Sequence, residues 1–180
     1  MRKLSMDELN RLSVEDFKNL EKNPFVIVLD NVRSLHNVGS TFRTADAFAV
    51  EKIILCGITG TPPNKEINKT ALGATESVEW EHVKDTTEAV QNLKAAGYKI
   101  IAIEQAENST MLPDFKPEPD QKYAFVFGNE VFGVEDDVIQ TADLVVEIPQ
   151  FGTKHSLNIS VTVGVVAWDF LMKLPTALPN

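Results

Sequence analysis

The sequence predicts an α/β domain with a mostly parallel sheet of five or six strands and helices on both faces. Short apolar runs recur at 25–30, 52–56, 98–103, 123–127 and 144–148. Segments of helical spacing separate these runs from residue 25 to residue 174, which is the pattern of strand–helix–strand crossovers. The runs are apolar at successive rather than alternate positions, as in strands covered on both faces.

Composition sets the outer bounds. With 180 residues the chain is one domain, long enough for a substantial core. Seventeen basic against twenty-six acidic residues give a net charge of −9, which argues against tight non-specific binding to a nucleic-acid backbone and leaves room only for a local basic patch. The single Cys56 excludes an internal disulfide or a cysteine zinc site, and reads as a buried structural thiol. Met1-Arg2-Lys3 followed by polar sequence is not a signal-peptide pattern, and no apolar span has the length of a membrane helix. A cytoplasmic protein is expected.

Segment 5–21 reads as two short helices or one broken one, since Ser5 with Glu8 and Ser13 with Asp16 are both N-terminal capping patterns. Leu9, Leu12, Phe17 and Leu20 would form its apolar stripe, and Asn23-Pro24 ends it. This arm, residues 1–23, either packs on the body or touches substrate or a second copy; residues 24–180 form the main domain. After the strand at 25–30, segment 37–48 reads as a helix. Asn37 suits its N-cap, Gly39 admits close approach of another backbone, and Phe42, Ala45 and Phe48 share the core side. Arg43 points away from that stripe, either reaching a ligand or standing in water.

The strand at 52–56 stops at Gly57, and 60–64 is rich in turn residues. Segment 65–74 is a short helix with Lys65 and Lys69 on one face, open to a phosphate or to solvent. Segment 78–82 alternates like a short edge strand. Thr86 or Thr87 caps a helix through Ala96, with Val90, Leu93 and Ala95-Ala96 inward and Gly97 at its end. After the strand at 98–103 comes a long loop, 104–119, with three prolines; such a loop is usually functional or mobile. The strand at 123–127 ends at Gly128, which opens a loop closed by Gly133 and carrying Glu130. A short helix at 135–141 and the strand at 144–148 lead to Pro149 and the polar, glycine-broken stretch 150–160. Segment 157–174 is apolar nearly all round and reads as a helix stopped by Pro175, one side covered by the body and the other by a second copy.

Two strands thus deliver two irregular loops, and ligands of open α/β sheets bind beyond the carboxyl ends of strands. The loops are expected to build one small-molecule pocket. No Gly-x-Gly-x-x-Gly follows the first strand and no P-loop is present, so the usual dinucleotide and nucleoside-triphosphate cradles are excluded. His36, His82 and His155 are scattered and read as surface residues; no metal site is expected.

Asn37-x-Gly39-x-x-x-Arg43, then Phe127-Gly128-Asn129-Glu130-x-x-Gly133, then Ile148-Pro149-x-x-Gly152-x-x-x-Ser156-Leu157-Asn158-x-Ser160 occur in that order, the second and third just at the ends of apolar runs. Together these segments resemble the SpoU (TrmH-like) branch of the SPOUT RNA methyltransferases, over residues 25–174. The resemblance implies a deep trefoil knot at the C-terminal end of the sheet, which general rules of chain topology would not suggest. It implies S-adenosyl-L-methionine as cofactor, cradled by the loops after Ile103, Phe127 and Ile148, with Gly128, Ile148, Leu157 and Ile103 in contact. It implies methyl transfer to a ribose 2′-hydroxyl of tRNA or rRNA, tRNA ahead of rRNA.

By similarity Arg43 belongs to the proton-transfer step. Arginine is effectively always protonated, so Arg43 is read as a fork donor to the alkoxide or a neighbouring phosphate. Asn37, Glu130, Ser156 and Asn158 would orient Arg43 and the ribose. Asn129 fills a slot often held by a small residue. The family's dimers imply a homodimer through the C-terminal helix, with Arg43 reaching the other subunit's cofactor. Arg33, Arg43, Lys65, Lys69 and Lys154 are expected to gather near the pocket and bind RNA. The competing reading is an RNA- or nucleotide-binding module of the same fold without turnover.

Overall fold

A computed structural model of the chain describes residues 1–5 and 7–174; the Pro175 stop lies outside the described residues. After a 3-10 turn at Asp7–Leu9 come α1 (Val14–Asn19), β1 (Asn23–Asp30), α2 (Leu35–Ala47), β2 (Val50–Cys56), α3 (Lys65–Ala71), α4 (Ala74–Ser77) and β3 (Trp80–Val83). Then follow α5 (Thr86–Ala95), β4 (Tyr98–Ile103), β5 (Thr110–Met111), β6 (Lys122–Phe127), α6 (Asp136–Thr141), β7 (Leu144–Glu147) and α7 (Ile159–Lys173).

The strands form one sheet in the order β3-β2-β1-β6-β4-β7-β5, with every pairing parallel. It has seven strands rather than five or six. The added one is β5, two residues inside the expected loop 104–119, too short to show any hydrophobic period. Side chains alternate between two buried layers. Ile27, Leu29, Leu55, Ile103 and Phe127 face α2 and α7, whereas Val26, Val28, Ile54, Ala102 and Val126 face α5 and α6. Helices therefore cover both faces. Phe170 anchors α7 to the sheet, with ring centroids 5.1 Å from Phe25, 5.2 Å from Phe125 and 5.4 Å from Tyr123.

Several expectations are corrected by local competition. Ser34, not Asn37, caps α2: the Ser34 hydroxyl accepts the Asn37 N–H at 3.3 Å, leaving the Asn37 side chain free for other partners. Asp85 caps α5, while Thr86 is buried and donates to Asp30 Oδ1 at 2.6 Å. Ala95 and Ala96 are exposed, and of the arm's proposed stripe only Phe17 is buried. The helix expected over 65–74 breaks at Leu72 and Gly73, both at positive φ. Gly39 has the close approach expected of it: a Cβ there would lie 2.2 Å from the Ile67 carbonyl oxygen on α3. Cys56 is buried, and burial pushes its thiol pKa up to about 12.

Register then positions the site. Leu29 pairs with Phe127, Phe127 with Ile103, and Ile103 with Val146, so β1, β6, β4 and β7 end side by side. The loops that follow emerge at one edge of the protein.

Candidate active site

Beyond that row lies a cavity of about 320 Å³, lined from the loops after β4, β6 and β7 and from the start of α7. Ile103, Gly128, Ile148 and Leu157 all line it, as do Glu130 and Ser156. The two loops expected to share a pocket do so. Sequence reasoning missed Glu104, Gln105, Glu147 and His155 among its walls. The rule that strand ends carry ligand groups, applied to Ile103 and Ile148, would have drawn in Glu104 and Glu147.

The loop 128–133 is held by its own backbone and by side chains. Asn129 and Gly133 exchange two backbone hydrogen bonds of 2.9 Å each. The Asn129 side chain accepts from the amides of Val131 at 2.8 Å and Phe132 at 3.2 Å, and donates to the Asn31 carbonyl at 2.7 Å. Asn129 is therefore a structural pin, the role left open by sequence. The turn is so tight that a Cβ on Gly128 would lie 2.0 Å from the Gly133 carbonyl carbon. Glu104 closes the loop from the other side, accepting the Val134 N–H at 3.0 Å.

Glu130 joins this loop to α2. Its carboxylate accepts the Arg33 N–H at 3.0 Å, the Ser34 N–H at 2.9 Å and the Asn37 Nδ2–H at 3.1 Å. Burial alone would raise the Glu130 pKa, but these donors outweigh it and hold the carboxyl below its usual range. Asn37 continues the chain: its Oδ1 accepts from Asn158 Nδ2 at 3.2 Å. Asn158 in turn caps α7, with its Oδ1 accepting the Ser160 N–H at 2.9 Å and the Ser160 hydroxyl at 2.7 Å. Glu130, Asn37 and Asn158 thus form one relay between three elements. Gln105 adds a second strut, donating to the His155 carbonyl at 2.7 Å.

Arg43 does not line this cavity. It is exposed and lines a second hollow of about 540 Å³ with Ser40, Lys69, Ser160 and Val161. Of the expected RNA-binding residues, Arg43 and Lys69 are brought together there, with Lys69 2.7 Å from Glu66. Arg33 and Lys65 are exposed but line neither hollow, and neither does Lys154 in the exposed loop after β7. The first cavity has Glu104, Glu130 and Glu147 on its walls and no lysine or arginine among the described residues. Its field suits a cationic ligand. No group of three His, Cys, Asp or Glu side chains is placed to hold a metal ion among the described residues.

Residues 24–168 match the sequence profile of the SpoU rRNA Methylase family. The chain belongs to that family. A SpoU relative from Neisseria meningitidis serogroup B, named 23S rRNA (guanosine-2'-O-)-methyltransferase RlmB, is 33% identical over 87% of this chain and 62% of its own length. A relative from Borreliella burgdorferi, named tRNA (guanosine(18)-2'-O)-methyltransferase, is 30% identical over 89% of this chain and 72% of its own. The chain therefore spans under two thirds of the Neisseria protein. In structure, it superposes on the AdoMet-bound rRNA methyltransferase of Sinorhizobium meliloti with a TM-score of 0.80 at 25% identity, covering 89% of this chain and 61% of that one. The TrmH/SpoU tRNA modifying enzyme of A. aeolicus shares the fold, with a TM-score of 0.78 at 23% identity over 89% of this chain and 81% of that one. No helix among the described residues is long and apolar enough to cross a membrane.

Proposed function

We propose that the chain is an S-adenosyl-L-methionine-dependent methyltransferase that modifies a ribose 2′-hydroxyl of tRNA or rRNA in the cytoplasm. The observation that carries it is the convergence of three strand-end loops on one acidic cavity, tied by Glu130, Asn37 and Asn158 to the helix that bears Arg43. The residues present fit the cofactor. Three glutamates with no lysine or arginine on the walls suit its sulfonium and ammonium charges, and Gly128 lines the same cavity. When bound, S-adenosyl-L-methionine supplies an activated methyl group. Ile103, Gly128, Ile148 and Leu157 would hold it.

The ribose hydroxyl must lose a proton as it is methylated. Arg43 offers a permanent positive charge to the developing alkoxide or an adjacent phosphate and does not itself take the proton. Glu130 accepts from three donors on or just before α2, so it also sets the angle of that helix. Ser156, exposed at the cavity wall, is free to contact the ribose. Arg33, Lys65 and Lys154 would add longer-range attraction for RNA to that of Arg43 and Lys69.

Arg43 facing a second hollow supports a homodimer in which it serves the other subunit. The side of α7 turned away from the core leaves Val161, Val165, Trp168 and Met172 exposed, and Val161 lines the Arg43 hollow. These residues follow helical spacing and form one stripe. A partner packed on that stripe would cover the Arg43 hollow. The resemblance adds a trefoil knot at the C-terminal end of the sheet; β4 lying between β6 and β7, with loops from all three around one cavity, supports it. Residues 1–23 act as an arm and 24–180 as the catalytic domain.

The test is methyl transfer to total RNA by wild type and Arg43→Ala, with S-adenosyl-L-methionine titrated calorimetrically into each. We expect Arg43→Ala to bind the cofactor normally and to lose about 10²–10³-fold in rate. Equal rates would remove Arg43 from the mechanism, and a cofactor that binds without any transfer would leave a non-catalytic binding module.

A further inference from the structure

Two exposed phenyl rings belong to the two loops that line the cavity, and the core uses neither. Phe132 is 84% exposed although it lines the cavity. Phe151 is 97% exposed and follows Gln150, another lining residue. The same chain buries Phe25, Phe42, Phe125 and Phe170 completely, so it has no shortage of core for aromatic rings. The two rings come from the two different loops that meet over the cavity, after β6 and after β7.

The charge around them narrows what they can hold. The cavity walls carry three carboxylates and no lysine or arginine among the described residues. Those carboxylates disfavour a phosphate inside the cavity, so the neutral base is the part of a nucleotide that suits the two rings. The apolar stripe of α7 assigned to a second copy is a separate surface on a different element.

We propose that Phe132 and Phe151 form a stacking platform for an unpaired base of the RNA, at or beside the nucleotide whose ribose is methylated. The proposal rests on the methyltransferase reading and names how that site grips its substrate. Reacting atoms must come within roughly 3–3.5 Å of each other, which keeps the attached base within one nucleotide's length of the cavity mouth. Proteins recognise RNA largely by stacking splayed-out bases on aromatic side chains, and such stacking tolerates any base. Stacking is also indifferent to net charge, which lets a chain of charge −9 grip RNA locally.

The experiment compares wild type, Phe151→Leu, Phe132→Leu and Phe151→Trp. Each is assayed for methyl transfer to total RNA, for S-adenosyl-L-methionine affinity by calorimetry and for oligomeric state by sedimentation. A fluorescent hairpin RNA with an unpaired loop, and a blunt RNA duplex of equal length, serve as binding probes. The leucine variants are expected to raise the apparent KM for RNA about tenfold at nearly unchanged kcat. They should weaken binding of the hairpin but not of the duplex, and Phe151→Trp should keep wild-type values. An unchanged KM and unchanged hairpin affinity overturn the platform. So does a loss that appears instead in cofactor affinity or in dimer content, since the rings would then contact cofactor or partner. If wild type itself transfers no methyl group, the enzymatic reading fails, and the hairpin-against-duplex comparison alone decides the platform.

Discussion

The loops after β6 and β7 line one cavity and are built in opposite ways. Residues 128–133 form a closed unit: a two-bond backbone bridge, an asparagine pin to Asn31, a glutamate lock onto α2 and a second glutamate at the exit. Residues 150–158 are exposed throughout, with a Gln105 strut to His155 and the Asn158 link to Asn37. One wall is thus preorganised before any ligand arrives, and the other presents its side chains to whatever binds. Ordering costs therefore fall unequally: the wall already held by hydrogen bonds needs little further ordering on binding, whereas the open wall is ordered only by the ligand it receives.

The same substitution in each loop gives the sharpest contrast. Gly128→Ala places a methyl group 2.0 Å from the Gly133 backbone, so the turn must open. We expect a destabilisation of about 1–3 kcal/mol in chemical unfolding and a loss of S-adenosyl-L-methionine affinity greater than about tenfold. Unaltered affinity would show that the tight turn does not shape the cavity. Next comes Glu130→Ala, which strands the Arg33, Ser34 and Asn37 donors and lets α2 drift. Methyl transfer should fall about 10²-fold, since small misplacements of positioning groups are that costly. Cofactor affinity should fall far less, because the backbone bridge and the Asn129 pin remain.

A smaller effect follows from protonation. Hydrogen bonding keeps the folded-state pKa of Glu130 below its ordinary value. Its contribution to stability is therefore fully present above the unfolded value of about 4.3 and is lost as pH falls below that, through the lowered folded value. The melting-temperature gap between wild type and Glu130→Gln should be flat above about pH 5.5 and narrow below about pH 4. A gap that widens on acidification would contradict the locked-loop picture. The smallest effect is expected for Gly152→Ala in the open loop. No atom lies within 4 Å of a Cβ there and its φ is not positive, so stability should stay within about ±0.5 kcal/mol by thermal melting.

Much of this was legible in the chain. The strand at Tyr98–Ile103 has its expected bounds, and the neighbouring ones are displaced by one or two residues, because fully buried parallel strands are written as unbroken apolar runs. Strand β5 was not legible, since two residues carry no pattern. The caps at Ser34 and Asp85 were misplaced by one to three residues because asparagine, threonine, serine and aspartate compete for that role, and tertiary partners decide which is free. Asn37 shows the consequence: released from the cap, its side chain became the middle of the relay between Glu130 and Asn158.

By itself the sequence determined the α/β class, the order of most elements and the two loops that meet at the cavity, because hydrophobic period and glycine placement are local properties. Folding is what adds Glu104 and Glu147 to those loops, ties Glu130 to α2 and turns Arg43 toward a different hollow from the first cavity. The physical reason is that these are contacts between residues far apart in the chain, set by strand register and helix packing, for which a linear pattern carries no signal.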